Sequence, residues 1–124
     1  MAVTRLEINI DGNDIERLAA FWSAALGYVA HASSGPYRSL VPALGDDDPA
    51  GRPKLILQQV PEPPAGTKNR LHLDLIVGSD FEAEAQRLVG LGATRLTDGV
   101  IREAGTAWIV LADPEGNEFC VCGT

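Results

Sequence analysis

Three short stretches of the chain place reactive side chains on one side of a strand pattern. In "EFCVC", residues 118–122, Phe119 and Val121 would face one way and Glu118, Cys120 and Cys122 the other. In "RLHLDL", residues 70–75, Leu71, Leu73 and Leu75 alternate with His72 and Asp74. In "RLEINI", residues 5–10, Leu6, Ile8 and Ile10 alternate with Glu7 and Asn9. His72 is the best-placed general acid or base, because an imidazole titrates near neutrality and a neighbouring carboxylate tunes it. Its structural alternative is a hydrogen bond to Asp74 or Glu7 in a polar pocket floor. Glu7 and Asp74 need partners in otherwise apolar strands, and Arg5, Arg70 and His72 are the nearest by sequence. Cys120 and Cys122 read as small apolar core residues rather than nucleophiles, since no Cys, His and Asn signature surrounds them. Arg70, in "KNR" at 68–70, is either a solvated loop residue or a bidentate anchor for a carboxylate or enediolate. Trp108 and Tyr37 could wall the same pocket.

The elements that must position these residues repeat. "RLEINI" and "RLHLDL" match at an offset of 65 residues, and "AALG" ending at Gly27 matches "VGLG" ending at Gly92 at the same offset. That offset pairs Glu7 with His72. After each first strand comes a helix. Ile15, Leu18, Ala19, Trp22, Ala25 and Leu26 form one apolar stripe, with Asn13 and Glu16 as the N-terminal cap and Gly27 as the stop. The second helix starts at Ser79 with Glu82 in capping-box spacing, buries Phe81, Ala85 and Leu88, and stops at Gly92. Three strands follow each helix: "YVAHAS", "YRSLVPA" and "KLILQQV" in the first half, "ATRLT", "AWIVLAD" and "EFCVC" in the second. "PEPPAGTKN" marks the junction. The expected architecture is α+β, two βαβββ modules of about 1–64 and 65–124 within a single domain. Helices early in each module cover one sheet face, so Leu6, Ile8, Ile10, Leu71, Leu73 and Leu75 are expected in the core. Glu7, Asn9, His72 and Asp74 are expected on the open face. "DPEGN", at 113–117, reads as a tight turn.

Composition narrows the partners. The formal net charge of −7 opposes binding to nucleic acid or anionic lipid. No apolar run is long enough to span a bilayer and no signal peptide is recognisable, which points to the cytoplasm. Two cysteines two residues apart on a strand cannot readily bridge each other, and reduced thiols fit the same setting.

The repeated layout, with "RLEINIDGNDIERLAAFWSAALGY", "KNRLHLDL" and "LADPEGNEFCV", resembles the glyoxalase-like branch of the vicinal oxygen chelate superfamily over essentially the whole chain. The resemblance implies half-barrels, each a curved mixed sheet with its helix outside, that commonly pair as homodimers. It also implies a divalent metal held by the first and last strand of each module, completed by substrate oxygens. The corresponding positions are Glu7 and His72 on the first strands, Gln58 and Cys120 on the last. Glu7 stands where such enzymes carry a His, and Cys120 where they carry a carboxylate. This mixed set matches neither the oxygen-rich preference of Mg²⁺ or Mn²⁺ nor the Cys/His pattern of structural zinc.

Two functions follow. One is a glyoxalase-like lyase or isomerase acting on a small oxygenated metabolite. A metal or Arg70 would polarise vicinal oxygens while Glu7 or His72 moves a proton, with Asn9, Gln58, Asp74, Trp108 and Cys120 lining the ligand site. The other is a non-catalytic protein that sequesters a metabolite or an antibiotic, for which the −7 charge would favour a cationic ligand of the bleomycin type.

Overall fold

The computed structural model describes residues 5–123, and the chain separates into two compact units that meet in sequence between Pro63 and Pro64. In the first unit, β1 (Glu7–Gly12) leads into α1 (Ile15–Leu26), and β2 (Tyr28–Ser34), β3 (Tyr37–Pro42) and β4 (Lys54–Gln59) follow. They form a four-stranded sheet in the order β1-β4-β3-β2. β1 runs parallel to β4, and the other pairs are antiparallel. The second unit repeats the plan with β5 (Leu73–Ile76), α2 (Phe81–Gly90), β6 (Thr94–Arg95), β7 (Ile101–Glu103), β8 (Thr106–Ala112) and β9 (Glu118–Gly123). Its order is β5-β9-β8-β6, with β7 also pairing β8. Each unit is therefore a helix on a mixed sheet, the α+β arrangement expected.

The helical stripe explains the first core. Ile15, Leu18 and Trp22 recur at helical spacing and are buried with Phe21, which meets Trp22 edge-on at 5.1 Å between ring centroids. They pack on Leu40, Leu55 and Leu57 of the sheet face below. In the second unit Ala85 and Leu88 cover Ile109, Leu111, Phe119 and Val121. Each fully buried Leu, Ile, Val or Phe is worth about 1.5–3 kcal/mol, against about 0–1 for an exposed ion pair. The helix-facing alternation therefore fixes both folds.

Several local expectations are corrected. The N-cap of α1 is Asp14, whose side chain accepts from the Arg17 N–H; Asn13 instead donates to the carbonyls of Val60 and Glu62. The N-cap of α2 is Asp80, accepting from the Ala83 N–H, in place of Ser79. Both stretches offer two capping side chains in a row, and spacing alone does not choose between them. Leu6 and Leu71, expected in the core, are 73% and 92% exposed. The strands begin only at Glu7 and Leu73, so both leucines precede the pairing that would have turned them inward, and His72 likewise stands just before β5. β7 is an addition to the expected strands. It pairs with β8 through a hairpin at Ala104 and Gly105, both at positive φ, a turn that Ala gives little reason to anticipate. In the turn after β8, Gly116 takes the left-handed conformation and donates to the Asp113 carbonyl. The buried Asp113 carboxylate accepts from the backbone N–H groups of Glu115 and Asn117 and from the Asn117 amide. Asn117 thus serves the turn through its side chain rather than through its φ.

Candidate functional site

β5 and β9 run parallel, with Asp74 directly opposite Cys120 and Leu73 opposite Phe119. Since Leu73 and Phe119 face α2, Asp74 and Cys120 share the other face of the sheet. One residue before β5, His72 reaches the same place: its Nε2 lies 3.3 Å from Asp74 Oδ1. The potential ligand atoms of His72, Asp74 and Cys120 all lie within 4.8 Å of one another. Exposure grades across the cluster. His72 and Asp74 are open to solvent, whereas Cys120 is 7% exposed.

Register also settles Trp108. It pairs with Cys122, and Val110 pairs with Cys120, so Trp108 stands half-buried on the open face beside the cluster. The alternation of β8 alone cannot reveal this, because both of its faces carry large apolar residues. Glu118 receives Lys68 Nζ at 3.0 Å and is neutralised at the edge of the site. Arg70 is exposed in the loop before β5.

Burial, reinforced by the Asp74 carboxylate, pushes the Cys120 thiol up to about 11, and burial raises Cys122 as well. Both are protonated thiols at neutral pH and poor nucleophiles. Both are free cysteines.

In the first unit the open face carries Glu7, Asn9 and Gln58. Asn9 Nδ2 donates to Gln58 Oε1 at 2.8 Å, while the Glu7 carboxylate is paired with Arg5. The expected partners of the two strand carboxylates are thus found, Arg5 for Glu7 and His72 for Asp74. Gln58 stands opposite Asp11, and Ile56 stands opposite Asn9, the residue that matches Asp74 in the repeat. By register the counterpart of Cys120 in the first unit is Ile56, whereas Gln58 corresponds to Cys122. A cavity of about 400 Å³ opens on this face, and Tyr37, Ser39 and Lys54 line it beside Asn9 and Ile56. Lys54 is a site residue that the motifs do not single out. Its one signal is alternation along "KLILQQ", which puts Lys54, Ile56 and Gln58 together on the side away from the core.

The donor set defines what the second-unit cluster can hold. An imidazole nitrogen, a carboxylate oxygen and a sulfur suit a tetrahedral ion of borderline softness such as Zn²⁺, which takes three protein ligands and leaves a fourth position open. They do not suit the all-oxygen octahedron of Mg²⁺. The group the resemblance implies therefore fits these residues in its zinc-like form.

A model of the glyoxalase-like domain matches residues 7–122. Among solved structures, a glyoxalase/bleomycin resistance protein/dioxygenase family enzyme from Burkholderia phytofirmans superposes with TM-score 0.72 at 20% identity, covering 94% of this chain and 95% of that one. The fosfomycin resistance protein FosX from Listeria monocytogenes superposes with TM-score 0.75 at 12% identity, covering 100% and 95%. An E126Q mutant of that protein was solved with Mn(II) and 1S,2S-dihydroxypropylphosphonic acid, and it superposes with TM-score 0.74 at 16% identity, covering 99% and 93%. No curated protein matches by sequence. These low identities carry the fold, and the domain match, spanning both units from β1 to β9, carries the family: the chain belongs to the glyoxalase-like domain family.

Proposed function

We propose that this glyoxalase-like protein binds a small oxygenated ligand on the open sheet faces, and that His72, Asp74 and Cys120 hold a divalent cation of the zinc type there. The observation that carries the reading is the convergence of three different donor atoms within 4.8 Å on one face of the second unit. The Mn(II) bound by one structural relative supports a cation in this fold. When bound, such an ion supplies Lewis acidity that polarises a ligand oxygen.

The chain's own residues supply the rest. His72 Nε2 and Asp74 Oδ1 stand 3.3 Å apart, so the imidazole and the carboxylate would hold such an ion together. The half-buried Trp108 screens one side of the cluster, and Arg70 stands in the adjoining loop to receive an anionic group on the ligand. Glu7, held by Arg5, is the second candidate for moving a proton next to a carbonyl. The two units are read as one functional domain because a single family model spans both. A homodimer belongs to the same proposal, as the resemblance implies.

The high thiol pKa of Cys120 favours a second reading, in which the cluster is a hydrogen-bonding floor that sequesters a ligand without metal or catalysis. Calorimetric titration of the metal-free protein with Zn²⁺, Ni²⁺, Mn²⁺ and Mg²⁺ separates the two. The first reading expects one Zn²⁺ or Ni²⁺ per chain, lost in His72→Ala. Absence of binding by every ion would leave the second.

A further inference from the structure

We propose that the first unit carries a carboxylate-selective pocket in which Lys54 anchors the anionic end of a ligand whose compact apolar body lies against Ile56 and Tyr37. The inference rests on the reading that the open sheet faces bind small molecules, and it names the ligand class for one of them.

The cavity of about 400 Å³ on this face sits at the small end of the range for small-molecule sites. Its walls are Ala32, Ile56 and the Tyr37 ring, and its polar lining is the hydroxyls of Ser34 and Ser39, the Asn9 amide and Lys54. Among the described residues no carboxylate lines it. Lys54 also lines an adjoining cavity of about 710 Å³ together with Arg5, His31 and Arg52. Lys54 thus lines both an apolar-walled chamber and a basic one, where Asp46 is the lining acid.

The neighbouring cations differ from Lys54 in being occupied. Arg5 is paired with Glu7, and Arg52 is held by Asp48 and the Leu26 carbonyl while lying 5.3 Å from the Tyr28 ring centre. Lys54 has neither an ion pair nor a side-chain hydrogen bond among the described residues, although it is half-buried. Glu7 stands opposite Lys54 in the β1–β4 register, but its carboxylate is engaged by Arg5, so a partly desolvated ammonium with no ion pair of its own gains from an anionic occupant. The net charge of −7 slows the approach of an anion at long range, but contact selectivity is set by the local cation. The same cation disfavours the positively charged ligand that the net charge alone suggests.

The test is a two-dimensional NMR titration of the full chain in chelator, so that it does not depend on metal at His72, Asp74 and Cys120. The probes are benzoate, its neutral isostere benzamide and the cationic benzylamine. Benzoate is expected to shift the amide signals of Ser39 and Ile56. Its affinity should fall about tenfold in Lys54→Gln and recover in Lys54→Arg, whereas benzamide should bind wild type and Lys54→Gln equally. The amide spectrum of each variant reports that it is folded. Benzoate that leaves Ser39 and Ile56 unmoved, or that binds Lys54→Gln as well as wild type, would overturn the proposal. So would benzylamine binding more tightly than benzoate.

Discussion

At the residue scale, Cys120 joins two facts that seldom coincide. It is buried like a core residue, yet its sulfur faces an imidazole and a carboxylate. Against an ordinary value of 9.0, a thiol at about 11 exposes about a hundredfold less thiolate at neutral pH. Alkylation of the metal-free protein by iodoacetamide at pH 7.5 should therefore run far more slowly at Cys120 than in the urea-unfolded chain. Equal rates, read by peptide mass analysis, would contradict this. The sign of the linked stability change follows. The folded thiol keeps its proton where the unfolded one loses it, so the contribution is complete below pH 9.0 and is lost as pH rises through about 11. Urea midpoints should accordingly fall across that alkaline window, and less so in Cys120→Ser. His72 and Asp74 are legible in the sequence as open-face residues, and the thiols only as side chains facing away from Phe119 and Val121. The 3.3 Å His72–Asp74 pair is one of several local partnerships the sequence allows, whereas the meeting of Asp74 with Cys120 is decided by register between strands far apart in the chain.

At the element scale, the end of β9 is closed by α2. A Cβ added at Gly123 would come within 2.4 Å of the Phe81 ring, so the glycine lets the first turn of the helix seat on the last strand. Gly123→Ala should cost about 1–3 kcal/mol in denaturant unfolding, the range for overpacking a fitted site. Combining it with Phe81→Leu should return part of that cost. An unchanged urea midpoint in the single variant would refute the packing argument. The helices are legible because their apolar stripes repeat from turn to turn, and Ile15, Leu18 and Trp22 are where the stripe puts them. Strand beginnings are less so. Leu6 and Leu71 continue the alternation in sequence but lie outside the hydrogen-bonded ladder, and alternation carries no mark of where pairing starts. β7 is hidden in the sequence because three residues are too few for a period to show.

At the scale of the whole molecule, the 65-residue offset carries the most information, because a duplicated strand and helix constrain each half by the other. From that offset two modules are legible in the amino-acid sequence, while the family is legible only through the resemblance of the quoted stretches, and the domain match over residues 7–122 shows it. What the offset does not carry is the ligand chemistry. Within the shared plan, the second unit gathers His72, Asp74 and Cys120 on its open face, while the first presents Lys54 beside Asn9 and Ile56. No helix among the described residues is long and apolar enough to cross a membrane.

A cation held by the thiol, imidazole and carboxylate of the second unit would bond the Cys120 sulfur, and Co²⁺ reports on that bond directly. Titrating the metal-free protein with Co²⁺ should develop a thiolate-to-cobalt charge-transfer absorption that saturates at one ion per chain, with release of the Cys120 proton. The band should be absent in Cys120→Ser. Cobalt that binds without that absorption, or fails to bind, would contradict the account.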